Sequence, residues 1–119
     1  MKIHEYQGKD LFKSYGIPVF DYSIVTTPAE ALEAYNKYGG ETVFKTQGLV
    51  GGRGKAGGVK LVDNAEEAEA VAADILGLTI KGLPVEKLMI TPASDIHREY
   101  YMGMILDRTN KSITVMISK

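Results

Sequence analysis

Cysteine is missing from all 119 residues, which excludes disulfides and thiolate metal sites and suits a reducing compartment. Neither sign of charge is in excess, since 14 Lys and Arg stand against 15 Asp and Glu. Without a basic surplus, general binding to nucleic acid or to an acidic membrane surface is not expected. No apolar run is long enough to cross a bilayer as a helix. The opening residues, Met1 to Gln7, already carry the pattern of an amphipathic helix rather than that of a targeting segment. What remains is a chain with 45% hydrophobic residues, enough at this length for one globular domain with a real core.

Glycine is what the sequence concentrates. Six glycines fall in the eleven positions from Gly48 to Gly58, interleaved with Arg53 and Lys55 and followed by Lys60. Glycine costs conformational entropy on ordering, so clustering it makes sense where backbone N–H groups must approach an anion closely, and phosphate is the natural anion. Gly52-Arg53-Gly54-Lys55-Ala56-Gly57 satisfies the dinucleotide spacing G-x-G-x-x-G letter for letter. A Rossmann loop, however, must open a helix, and Val59-Lys60-Leu61-Val62 is a β-branched run suited to a strand. The run therefore predicts a strand-to-strand loop. Extended by two positions it reads G-x-G-x-x-G-x-V, the form of a lid over nucleotide phosphates. A Walker A loop is excluded, because Gly48 lies one position too far back and Ala56 stands where a magnesium-binding Ser or Thr is needed. A second cation precedes the run: Glu41 to Gln47 reads as a buried strand, and Lys45 near its end either pairs with a carboxylate, reaches solvent, or meets a phosphate.

Elsewhere helix and strand signals alternate. His4 to Tyr15 reads as a helix with Tyr6, Leu11, Phe12 and Tyr15 toward one side, stopped by Gly16 and Pro18. Residues 21–26 read as a strand. Thr27-Pro28-Ala29-Glu30 is a capping box with proline at the first helical position, and Gly39 ends the helix it opens. Asn64 caps another helix, on which Ala68, Val71, Ala72 and Ile75 fall at i, i+3, i+4 and i+7 before Gly77. A loop through Gly82 and Pro84 leads to a strand over Leu88 to Thr91. Glu99 to Leu106 and Ser112 to Ser118 then form a hairpin around Asp107 to Lys111. Because Ile113, Val115 and Ile117 alternate as a half-buried strand should and Lys119 follows almost at once, residues 1–119 are expected to be the front part of a longer chain.

Several of these residues together resemble a known family. His4-Glu5-Tyr6-Gln7 with Lys9, Leu11-Phe12, Tyr15-Gly16 and Pro18, then Thr26-Thr27-Pro28, Lys45 with Gln47, the run Gly51 to Lys60, and Asp95-Ile96 with Glu99, Tyr101 and Gly103 are similar to the start of the β subunits of ADP-forming succinate–CoA ligases. The resemblance covers the whole chain in one register, and related acyl-CoA ligases such as malate–CoA ligase begin in much the same way.

The resemblance implies an α/β fold: the N-terminal lobe of an ATP-grasp enzyme, a mixed sheet flanked by helices with a terminal β-hairpin. It implies that Lys45 contacts nucleotide phosphates, that Gly52, Arg53 and Gly54 form the lid over them, and that Glu99 lies beside the nucleotide. Ile90 to Ser94, with Thr91 and Ser94, would meet the edge of an adenine or guanine base. Thr91 stands where relatives often carry glutamate, and Val19 to Tyr22 is one residue shorter than in several of them. The cofactors implied are ATP/ADP or GTP/GDP with Mg²⁺, whose ligands are expected beyond residue 119. The partners implied are succinate, coenzyme A, and an α subunit carrying the CoA site and a phosphohistidine, in a bacterial cytoplasm. His4 and His97 are then structural or exposed rather than phosphorylated. Asp63, Glu66, Glu67 and Glu69 sit at a helix start, where acidic residues suit the helix dipole, so no paired-carboxylate metal site is expected from them. Two other readings stand beside this one: the same lobe in another acyl-CoA ligase, and a non-catalytic module that binds nucleotides or anions.

Overall fold

The computed structural model describes residues 1–49 and 51–119. In chain order α1 (Glu5–Ser14) is followed by β1 (Ser23–Val25), α2 (Pro28–Tyr38), β2 (Thr42–Thr46), β3 (Val59–Val62) and α3 (Ala65–Leu76). A short pair, β4 (Thr79–Ile80) and β5 (Leu83–Pro84), then β6 (Leu88–Pro92) and the hairpin β7 (Tyr101–Asp107) and β8 (Ser112–Ser118) complete it.

The expected α/β lobe is present. Its central sheet has the order β1-β6-β2-β3, and each of its pairings is antiparallel, where a mixed sheet implies some parallel neighbours. β6 lies between β1 and β2, so those two run in the same direction without touching, and α2 makes the crossover between them. α3 makes the equivalent crossover from β3 to β6, which run the same way on either side of β2. Both helices pack against one another and against one face of the sheet.

Local signals start and stop these helices. Thr27 Oγ1 accepts from the Glu30 N–H at 3.3 Å, and Glu30 Oε2 accepts in return from the N–H groups of Thr27 and Thr26 at 3.2 and 2.7 Å. Those bonds, the Thr26 N–H first, hold the Glu30 carboxyl below its ordinary pKa. Gly39 ends α2 at φ 64°, a left-handed conformation that costs glycine little. Asn64 caps α3 by accepting from the Glu67 N–H at 2.9 Å.

The core lies between these helices and the sheet. Ala31, Ala34 and Tyr35 of α2 and Ala68, Ala72 and Ile75 of α3 meet Val25, Phe44, Val62, Leu88 and Ile90 of the sheet, with Ile80 and Val85 closing one end. Small alanines let the two helices approach closely, and Phe44 fills the space beneath them.

One expected loop is corrected to a hairpin, and two apolar faces lie open. The apolar residues of α1 are not core: Leu11, Phe12 and Tyr15 are 52%, 51% and 79% exposed, and the helix has no buried residue. The stretch around Gly82 and Pro84 is a two-residue hairpin instead of a plain loop, with Lys81 and Gly82 both at positive φ, as such tight turns require. Each residue of β8 is exposed, so the alternating face of Ile113, Val115 and Ile117 lies uncovered among the described residues.

Candidate functional site

The two faces of the sheet are set by cross-strand register. Residues paired across an antiparallel ladder share a face, and side chains alternate along each strand. Phe44, Leu88 and Ile90 point at the helices. Val43 opposite Leu61 and Thr91, and Lys45 opposite Val59 and Met89, therefore point the other way.

On that second face two clefts meet at Lys45. One, of about 360 Å³, is lined by Lys9, Phe20, Val43, Lys45, Thr91 and Ser94 among others. The other, of about 520 Å³, is lined by Glu5, Lys45, Gly52, Arg53, Gly54 and Lys55 among others. The first is the more enclosed and is bordered by β6 and the segment after it, with Phe20, Leu61 and Ile96 beside Lys9, Glu41 and Lys45; the second is more open, cationic and floored by glycine.

The glycine run is a closed turn rather than a loose linker. Gly57 and Gly58 donate back to the carbonyls of Gly54 and Arg53 at 3.1 and 2.8 Å, Ala56 donates to Gly52, and Thr46 donates to the Gly58 carbonyl at 2.8 Å. The N–H groups of Ala56, Gly57 and Gly58 are thus spent inside the loop. Among the described residues none accepts a hydrogen bond from the N–H of Arg53, Gly54 or Lys55, which leaves those groups for an anion. Val50, within the same run, lies outside the described residues.

Both cations are held by one carboxylate. Lys45 Nζ lies 3.5 Å from Glu5 Oε1 and Arg53 Nη2 lies 3.1 Å from Glu5 Oε2. Arg53 Nη1 also donates to the Thr46 carbonyl at 2.7 Å. The carboxylate partner foreseen as one option for Lys45 is therefore present, and it comes from α1. Sequence reasoning missed Glu5 because its partners lie 40 and 48 residues away; the one local signal was an acidic residue in the first turn of a helix. It also missed Lys9, which lies near the ring of Tyr22 and whose ammonium is held below its ordinary pKa by burial first and by the charge of Lys45 second.

The remaining candidates fall unevenly. Thr91 is buried in the first cleft, but its hydroxyl donates to the Asp21 carbonyl at 2.8 Å, which ties β6 to the segment before β1 and leaves only its lone pairs for a ligand. Ser94 lies beyond it on a segment fixed by the Ala93 N–H bonding the Glu41 carbonyl at 2.9 Å. Glu99 is exposed ahead of β7 and lines neither cleft.

A divalent cation does not fit these residues. Among the described residues there is no cluster of three carboxylate or imidazole groups, and Glu5, the carboxylate in the cationic cleft, has both oxygens engaged by cations. His4 stacks on Tyr6 with 5.6 Å between ring centroids and donates its N–H to Gln7 at the start of α1. Among the described residues, no helix is long and apolar enough to cross a membrane.

Residues 2–119 match the family model described as ATP-grasp domain. The chain is 52% identical over 118 residues to the β subunit of ADP-forming succinate–CoA ligase from Roseiflexus sp. (strain RS-1), which covers 99% of this chain and 31% of that protein. It is 49% identical over 119 residues to the β subunit of GDP-forming succinate–CoA ligase from Thermus thermophilus, covering 100% of this chain and 32% of that one. The chain thus spans about a third of the length of these curated relatives. Among solved structures, the dinucleotide-forming acetyl-coenzyme A synthetase 1 of Ca. Korarchaeum cryptofilum superposes with a TM-score of 0.84 at 21% identity, over 98% of this chain and 53% of that one. The phosphoribosylamine–glycine ligase of Thermotoga maritima gives a TM-score of 0.66 at 23% identity, over 96% and 27%. At such identities these structures bear on the fold alone.

Proposed function

Because the chain belongs to the ATP-grasp domain family, we propose that its second sheet face is one wall of a nucleotide site, with Lys45 and Arg53 facing the phosphates and the cleft between Phe20 and Thr91 taking the base. The observation that carries this is the meeting, at the single side chain of Lys45, of a cleft lined by Phe20, Leu61, Thr91 and Ser94 with a glycine-floored cleft lined by Arg53 and Lys55. Phosphoryl transfer asks a protein mainly for positioning and charge neutralisation, and two cations beside free loop N–H groups supply both. Gly52 and Gly54 let the backbone reach the phosphates. Thr91 and Ser94 border the base, and Glu99 would join them only through a rearrangement of the exposed segment before β7.

The relatives extend this reading to a whole protein that joins succinate and coenzyme A at the expense of a nucleoside triphosphate. This chain is then the front part of its nucleotide-binding domain, and a partner α subunit carries the CoA site and a phosphohistidine. On this reading the protein would work in the tricarboxylic acid cycle, in a bacterial cytoplasm. Relatives that form ADP and GDP are matched about equally well, at 52% and 49% identity, so the base preference is a matter for measurement. Any magnesium that accompanies the nucleotide takes its oxygen ligands from outside this cleft.

The test is a calorimetric titration of the protein made from its native gene with ATP, ADP, GTP and GDP, beside a Lys45→Ala, Arg53→Ala double variant. Wild-type binding that falls by about a hundredfold in the variant is expected, since two charge-assisted contacts are removed. A folded double variant that binds as the wild type does would sink the assignment.

A further inference from the structure

We infer that Glu5 is a positioning residue for the nucleotide phosphates: it holds Lys45 and Arg53 side by side, with their remaining donors turned to the cleft, before any ligand arrives. This rests on the nucleotide reading of the site.

Three distant parts of the sequence converge here. Glu5 comes from α1, Lys45 from β2 and Arg53 from the glycine loop, and each carboxylate oxygen is assigned to a different cation, at 3.5 and 3.1 Å. Without an anion between them, two cations facing one cleft repel each other, and the long flexible side chains turn to water. Arg53 has the greater freedom, because it stands among glycines. The Thr46 carbonyl fixes one edge of its guanidinium at 2.7 Å and Glu5 fixes another. Lysine offers three donors and arginine five, so these contacts leave donors of both residues for phosphate oxygens.

Glu5 is itself held in place. It lies in the first turn of α1, where a carboxylate suits the helix dipole. The next residue, Tyr6, donates its N–H to Gln47 Oε1 at 3.2 Å, just past the end of β2. Gln47, Tyr6, Glu5, Lys45 and Arg53 thus form a closed bracket around the end of that strand. Cations ordered in advance cost less to engage when the ligand binds, and the cleft stays positive overall because Lys55 also lines it.

The experiment compares wild type, Glu5→Gln and Glu5→Asp in the protein made from its native gene, titrated with ATP, ADP and AMP, with melting temperatures measured in parallel. Glu5→Gln keeps the shape of the side chain and loses its charge. If Glu5 positions the phosphate cations, the loss scales with phosphate number: about tenfold for ATP, less for ADP and none for AMP, at an unchanged melting temperature, with part of the loss recovered in Glu5→Asp. Equal losses for all three nucleotides together with a lower melting temperature would reduce Glu5 to a structural tie. Tighter binding in Glu5→Gln would make the carboxylate a competitor of phosphate, and either result overturns the inference while leaving the nucleotide site intact. A folded wild type that binds none of the three would overturn the underlying reading instead.

Discussion

The two faces of the four-stranded sheet are held to their helices by different forces. On one face α2 and α3 dock through apolar contact: Phe44, Leu88, Ile90 and Val62 are fully buried beneath alanines that are themselves nearly or fully buried. On the other face α1 buries none of its residues, and the contacts that tie it include Glu5 to Lys45 and Arg53, Tyr6 to Gln47, Tyr22 to Asp10 and the Tyr6 carbonyl, and Lys9 over the Tyr22 ring. Burial is indifferent to pH and direction, whereas ion pairs and hydrogen bonds are sensitive to both. One face is therefore a foundation and the other a surface on which a charged ligand changes the balance of contacts.

The neighbouring residues Phe44 and Lys45 put this contrast to its strongest test. Phe44 is fully buried, and Phe44→Ala should lower stability by about 3–5 kcal/mol, read as a fall in the melting temperature and in the denaturant midpoint. Lys45→Ala, one position along, removes a part-exposed ion pair whose worth is about 0–1 kcal/mol and should leave melting almost unchanged. If the two variants melt alike, the division of labour between the faces is wrong.

Gly58 joins the two faces, so its effect should be intermediate and should appear in both readouts. A Cβ there would lie 2.8 Å from Thr46 Oγ1 and 2.9 Å from the Arg53 carbonyl. The second of these is backbone and cannot swing aside, so Gly58→Ala should shift the loop at a cost of about 1–3 kcal/mol. It should weaken nucleotide binding as well, because Arg53 moves with its carbonyl. Melting and titration on the same sample check this, and a loss confined to melting would separate loop closure from the phosphate site.

What was legible in the sequence divides along the same line. Signals carried by neighbouring residues could be read directly: the Thr27 and Asn64 caps, Gly39 at its left-handed turn, the β2 and β3 strands either side of the glycine run, and the alanine face of α3. Lys45 could be read because a cation on an otherwise buried strand asks for a partner. Glu5 could not, because the partner was supplied by folding from a helix 40 residues earlier. Periodicity records a face without what covers it: the apolar side of α1 and the alternating face of β8 were legible, but Leu11, Phe12, Ile113 and Ile117 are all exposed. Thr91 was placed beside the cleft from the resemblance, but that its hydroxyl is spent on Asp21 is a fact of register between β6 and the segment before β1.

The smallest expected effect concerns the polar side alone and separates it from the apolar one by pH. The Tyr22 hydroxyl donates to Asp10 of α1 and lies 3.2 Å from the Tyr6 carbonyl. Its pKa is raised from 10.0 to about 12, by burial first and then by the bond to Asp10. A folded pKa above the unfolded one means that the fold holds the proton more firmly, so this contribution is fully present below pH 10 and is lost between pH 10 and about 12. Melting temperatures of wild type and Tyr22→Phe across that range should show a gap that is constant below pH 10 and closes above it, since the phenylalanine has no proton to lose. A gap that stays constant to pH 12 would mean that Tyr22 contributes only its ring, and the tether of α1 would then rest on Glu5 and Gln47.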